Sequence, residues 1–110
     1  MMVKKRKIMP PVHPGETLRE DFLKPLGLSA SRLAMELRTP VTRINDIARG
    51  KRAITADTAL RMARYFGTTP QFWMNLQANY DLEMARDVRG LEIAGLDHHG
   101  MAHVVPARHC

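Results

Sequence analysis

From Arg38 to Arg52 the chain sets Arg38, Arg43, Arg49, Lys51 and Arg52 against a lone acid, Asp46. In the same stretch Thr42, Arg43, Asn45, Asp46 and Arg49 fall away from the apolar stripe Val41, Ile44, Ile47 and Ala48 on a 3.6-residue period. Side chains of these types hydrogen-bond base edges and attract phosphate. Their chemistry is nucleic-acid recognition, not bond cleavage.

Presenting such a face takes two short helices joined by a tight turn. Leu33, Ala34 and Leu37 give the preceding helix an apolar stripe, and the small Ala34 suits the point where the two helices cross. Ser29 opens that helix. Thr39 is suited to N-cap the next one, with Pro40 at its first position, where no intrahelical donor is needed. The turn then falls at residues 38 and 39.

The remaining elements read as helices as well. A first helix starts near Pro14, with Glu16 in its first turn and Leu18, Phe22 and Leu26 on its apolar face. Lys24-Pro25 is expected to end it near Leu23, because a residue before proline is pushed out of the α region. A fourth starts with Thr55 as cap, Ile54 set to pack on Ala59, a buried face of Leu60, Ala63 and Phe66 or Tyr65, and Gly67 as its stop. Thr69-Pro70 opens a fifth, the most apolar, carrying Phe72, Trp73, Leu76 and Tyr80 and running toward Gly90. Trp73 and its neighbours are most simply core, with a dimer or partner surface as the alternative. Met35, Met62 and Met74 read as packing.

The expected fold is all-α: a five-helix, repressor-like helix-turn-helix domain over residues 13–90. A basic flexible leader precedes it (1–12), and a poorly ordered His-rich tail follows it (91–110). In the leader, Lys4, Lys5, Arg6 and Lys7 read as a solvated run before a phosphate-contacting arm. In the tail, only His103-Val104-Val105 hints at a short strand.

At 110 residues the chain has room for one modest core. Its net charge of +6 points to a polyanionic partner. The single cysteine, Cys110, excludes an intramolecular disulfide and suits a cytoplasmic protein, and no apolar stretch has signal or transmembrane length. His98, His99, His103 and His109 with Cys110 have the residue types of a zinc site but no paired C-x-x-C spacing, so no metal and no cofactor is expected. His13 lies near Glu16 with no Cys, Ser or second histidine placed as a catalytic partner. It reads as a local cap or packing contact, and the protein as no enzyme.

The segment from His13 to Asp87 resembles the HigA-type antitoxins, a group that includes virulence-associated protein I, within the xenobiotic-response-element class of helix-turn-helix repressors. The residues carrying the likeness are His13-Pro14-Gly15-Glu16, Leu18, Leu33-Ala34, Thr42 to Ile47, Gly50-Lys51-Arg52, Ile54-Thr55, Asp57 to Arg61, Phe72 to Gln77, and Tyr80-Asp81-Leu82. The resemblance implies a homodimer that binds palindromic double-stranded operator DNA and represses its own operon. It also implies neutralisation of a HigB-type toxin, an mRNA-cleaving ribonuclease. A solitary regulator without a toxin partner is the alternative. Where many helix-turn-helix turns carry glycine, this chain has Arg38, which in a left-handed conformation costs about 1 kcal/mol or more.

In the docking mode that the resemblance implies, the N-terminal part of the third helix enters the major groove. Thr42, Arg43 and Asp46 then face base edges. Arg43 is foremost because it can pair both acceptors of guanine, with an ion pair to Asp46 or Asp57 as its alternative. Asn45 suits adenine, phosphate or an Asx turn. Arg49, Lys51 and Arg52 are placed to grip phosphate. Thr39 stands at a helix N-terminus, and Ser29 and Ser31 on the helix that crosses the backbone, where each can meet phosphate.

Overall fold

Five helical elements, and no strand, make up the described part of the computed structural model, residues 10–96. We name them α1 (Pro14–Thr17, Leu18–Leu23 and Lys24–Leu26 in continuous succession), α2 (Ala30–Leu37), α3 (Val41–Ala48), α4 (Ala56–Phe66) and α5 (Pro70–Ala94). The leader cluster Lys4 to Lys7, the tail histidines with Cys110, and the segment His103-Val104-Val105 lie outside the described residues.

Starts follow the expected capping chemistry in four of the helices. His13 Nδ1 accepts the Gly15 N–H at 2.8 Å, Ser29 accepts from Arg32, Thr55 from Thr58, and Thr69 from Phe72. Ends are equally regular. α1 to α4 each close on a left-handed residue, Gly27, Arg38, Gly50 and Gly67, and in each the next N–H reaches back five residues to a carbonyl. Arg38 is the one non-glycine residue among them, at φ 59° and ψ 47°.

Thr39 does not cap α3. Its N–H closes α2 on the Ala34 carbonyl at 3.0 Å, so Thr39 belongs to the end of α2, and the extended Pro40 (φ −62°, ψ 140°) takes the N-cap position. The same Thr-Pro pair at residues 69 and 70 does form a cap and a first helical residue, because no helix end competes for Thr69 there. α1 also departs from expectation by continuing through Lys24-Pro25 to Leu26. Its middle is π-helical, with the Lys24 N–H donating to Arg19, five residues back. That wider turn makes room for the proline ring and shifts the bonding so that its missing N–H is not needed.

Leu18, Leu33, Ala34, Ile44, Ile47, Ala59, Met62 and Trp73 form the centre of the core. Leu26, Met35, Val41 and Leu60, apolar residues expected inside, are exposed. On α4 the buried stripe is Ala59, Met62 and Ala63, whose small alanines allow close helix approach, and Leu60 lies beyond its edge. Trp73 is fully buried and donates from Nε1 to Thr68 Oγ1 at 2.8 Å, whereas Phe72 remains partly exposed. α5 passes Gly90 and buries only Trp73 and Gln77. From Leu82 onward its apolar residues, Leu82, Val88 and Leu91 among them, face outward. No helix among the described residues is long and apolar enough to cross a membrane.

Candidate nucleic-acid interface

α3 is held from both ends. At its C-terminal end α1 comes so close that a Cβ on Gly15 would lie 1.8 Å from the Ile47 carbonyl oxygen, which explains the glycine of His13-Pro14-Gly15-Glu16. Arg19 of α1 also donates to the Ala48 carbonyl, satisfying one of the acceptors that a helix end leaves free. At the N-terminal end, Arg61 of α4 donates from Nη1 to the Leu37 carbonyl at 2.9 Å, fastening the turn between α2 and α3. Neither arginine contact is announced by local pattern, since the partners stand 29 and 24 residues apart in sequence.

Thus fixed, α3 turns Ile44, Ile47 and Ala48 into the core and leaves Thr42, Asn45, Asp46 and Arg49 at i, i+3, i+4 and i+7 on one outward face. Thr42 and Arg49 are exposed, and Asn45 and Asp46 half-buried. Arg43 stands on the shoulder of this face turned toward α4, where Nη1 lies 3.9 Å from Asp57 Oδ2. Asp46 is paired instead with Arg52, at 4.0 Å. Lys51 and Arg52 follow Gly50 as exposed side chains, so the basic cluster continues the outward face past the helix end.

Ser29 and Ser31 are exposed in the first turn of α2. The Ser29 hydroxyl is occupied in capping, at 3.0 Å from the Arg32 nitrogen. Thr39 is half-buried, and its Oγ1 is shielded from solvent with no hydrogen-bond partner among the described residues. The fold thus brings Thr42, Arg43, Asn45, Asp46, Arg49, Lys51 and Arg52 into one surface, with Ser29, Ser31 and Thr39 set on the preceding helix and turn. Of the two ion pairs open to Arg43 in the sequence, the fold forms the one with Asp57, whereas the Arg61 tie to the turn had no signal there.

His13 illustrates how the interface is anchored away from its face. Its ring meets Tyr80 of α5 edge-on, with centroids 4.8 Å apart. Burial lowers its pKa below 6.5, and the nearby Asp81 carboxylate works in the opposite sense. Among the described residues no cluster of His, Cys, Asp and Glu is arranged to hold a metal.

A helix-turn-helix family model matches residues 20–73, which span most of α1 through α4 and the start of α5. Virulence-associated protein I of Dichelobacter nodosus is 60% identical over 77 residues, covering 70% of this chain and 71% of the relative. The chain belongs to the HigA and virulence-associated protein I family of helix-turn-helix proteins. Two solved structures extend the likeness to nearly their whole length. The Pseudomonas aeruginosa antitoxin HigA with higBA promoter superposes with a TM-score of 0.74 at 41% identity, covering 89% of this chain and 99% of that one. The antitoxin GraA in complex with its operator gives 0.76 at 42% identity, covering 89% and 95%. The family expected from His13 to Asp87 and the repressor-like all-helical fold are therefore both found.

Proposed function

We propose that the protein is a homodimeric, operator-binding antitoxin that represses its own operon and neutralises a HigB-type ribonuclease. One observation carries the DNA-binding part: α3 presents Thr42, Asn45, Asp46 and Arg49 outward beside Arg43, Lys51 and Arg52, on a fold shared with relatives solved on promoter and operator DNA. In this reading residues 13–90 form the DNA-binding domain. Thr42, Arg43 and Asp46 meet base edges, Asn45 meets adenine or phosphate, and Arg49, Lys51, Arg52, Ser29 and Ser31 engage the backbone, whereas Thr39, with its hydroxyl shielded and its N–H bonded to Ala34, is left out. Dimerisation would cover apolar side chains of α5 such as Leu82, Val88 and Leu91, which are exposed in the single chain.

The deciding experiment is protection of the promoter DNA upstream of this gene, with and without the product of a small basic ribonuclease-like neighbouring gene. A protected palindrome with half-sites about one helical turn apart is expected. If the dimer contacts about eight phosphates, log affinity should fall against log salt with a slope near −7. Co-purification with the neighbouring product, and relief of its growth inhibition, are expected of an antitoxin. Salt-insensitive binding without sequence preference sinks the operator reading, and a protected operator with no toxin partner leaves a solitary regulator.

A further inference from the structure

A single carboxylate oxygen, Asp57 Oδ2, faces two guanidinium groups. Arg61 Nε lies 3.0 Å from it and Arg43 Nη1 lies 3.9 Å from it. Arg61 is itself tied to the Leu37 carbonyl at the end of α2. Asp57 is therefore fixed from behind by a side chain that is anchored to backbone, and what it faces is the arginine on the shoulder of α3.

From this arrangement we propose that Asp57 is a positioning residue for DNA reading, which holds the Arg43 side chain over the outward face of α3 before DNA arrives. The role rests on the reading that Arg43 contacts a base edge. A long arginine side chain loses rotamer freedom when it docks, and a partner that restricts it beforehand reduces that loss. At 3.9 Å the pair is an ion pair and not a hydrogen bond, so the donors of Arg43 stay available for the two acceptors of guanine. The carboxylate also has an opposite effect on indiscriminate binding. Half-exposed beside a basic surface, it repels the phosphate backbone, and so favours discrimination over raw affinity.

The test uses the full-length protein and duplexes that it selects from a randomised library, each compared with single base-pair variants and with a scrambled duplex. Arg43→Ala is expected to abolish preference at one base position per half-site. Asp57→Asn is expected to reduce preference at that same position by about tenfold, within the range that one bidentate base contact supplies. Its affinity for the scrambled duplex should hold or rise. Thr55→Ala removes the cap of the same helix without touching the network, and should lower the melting temperature while preserving the preference. Asp57→Ser, which also removes the charge and suits a first turn, replaces the Asn variant should that one not fold.

If Arg43→Ala removes the preference and Asp57→Asn keeps it, the role of Asp57 is overturned while the reading of Arg43 stands. Should Arg43→Ala itself keep the preference, the underlying reading fails and the role of Asp57 falls with it. Equal losses on selected and scrambled duplexes, matched by Thr55→Ala, would reduce Asp57 to helix support and overturn the proposal.

Discussion

His13 Nδ1 accepts the backbone N–H of Gly15 at 2.8 Å, so the cap of α1 depends on an unprotonated ring nitrogen. Because burial lowers the pKa of His13 in the folded chain, the unfolded chain takes up the proton first as pH falls. The stabilisation is fully present above pH 6.5, the unperturbed value, and is lost as pH drops below it through the folded value. Thermal unfolding at pH 7.5 and pH 5.0 should therefore show a fall in melting temperature in the wild type. In His13→Asn, which keeps an N-cap acceptor and cannot titrate, that part of the fall should vanish. An identical fall in both would show that this histidine is not the group responsible.

Arg38 occupies, at φ 59°, the position that Gly27, Gly50 and Gly67 fill in the matching helix ends. Relieving its left-handed strain should outweigh the extra freedom that glycine gains in the unfolded chain. Arg38→Gly is expected to stabilise the protein by about 0.5 to 1 kcal/mol. Gly67→Ala should destabilise it by a similar amount, since the same backbone conformation is then strained in α4. Denaturant unfolding checks both, and a loss of stability in Arg38→Gly would mean that its side chain contributes more to the fold than its exposed position suggests.

Periodicity, caps and stops made the five helices legible, because those signals are carried by neighbours in sequence: Ser29, Thr55 and Thr69 at starts, and Gly67 at an end. What pattern could not supply was competition between elements. Thr39 satisfies every local rule for a cap, yet its N–H is drawn to the Ala34 carbonyl of the helix before it. Pro25 satisfies every rule for a stop, yet the π-helical turn of α1 carries the chain through it. The outward face of α3 was legible residue by residue. The ties from Arg19 and Arg61 that hold it cross between helices and leave no periodic trace, whereas the Arg43–Asp57 pair was one of two that charge alone allowed.

Gln77 is the clearest of these non-local ties. Buried on α5, it accepts the Ile54 N–H through Oε1 at 2.8 Å and donates through Nε2 to Asp81 at 3.0 Å. The loop that follows the Gly50-Lys51-Arg52 cluster is thereby pinned to the last helix. Gln77→Leu keeps the bulk and strands the Ile54 N–H away from water, at a cost of about 1 to 3 kcal/mol. Gln77→Glu still accepts from Ile54 but sets a buried carboxylate against Asp81, so it should also destabilise at neutral pH and recover toward acid pH as the carboxyl protonates. Melting temperatures of the two variants across pH separate the effects, and a Gln77→Leu variant as stable as the wild type would show that the Ile54 N–H finds another partner.

Lys51 tests how labour divides across the proposed interface. It follows the left-handed Gly50, its backbone N–H closes α3 on the Asp46 carbonyl at 2.8 Å, and its side chain is exposed. Lys51→Ala leaves that backbone bond intact and removes only the charge, so folding stability should change by less than about 0.5 kcal/mol. If the ammonium grips one phosphate per protomer, affinity should weaken about equally for every duplex sequence, and each lost contact should reduce the salt slope by about one. Arg52→Ala is the less clean variant, since it also frees Asp46 from its ion pair and so places an unpaired carboxylate on the reading face. Its loss of affinity should therefore exceed that of Lys51→Ala, and restoring neutrality with Asp46→Asn in the same chain should recover the excess. Sequence-dependent weakening in Lys51→Ala, with an unchanged salt slope, would move Lys51 from the backbone to the bases.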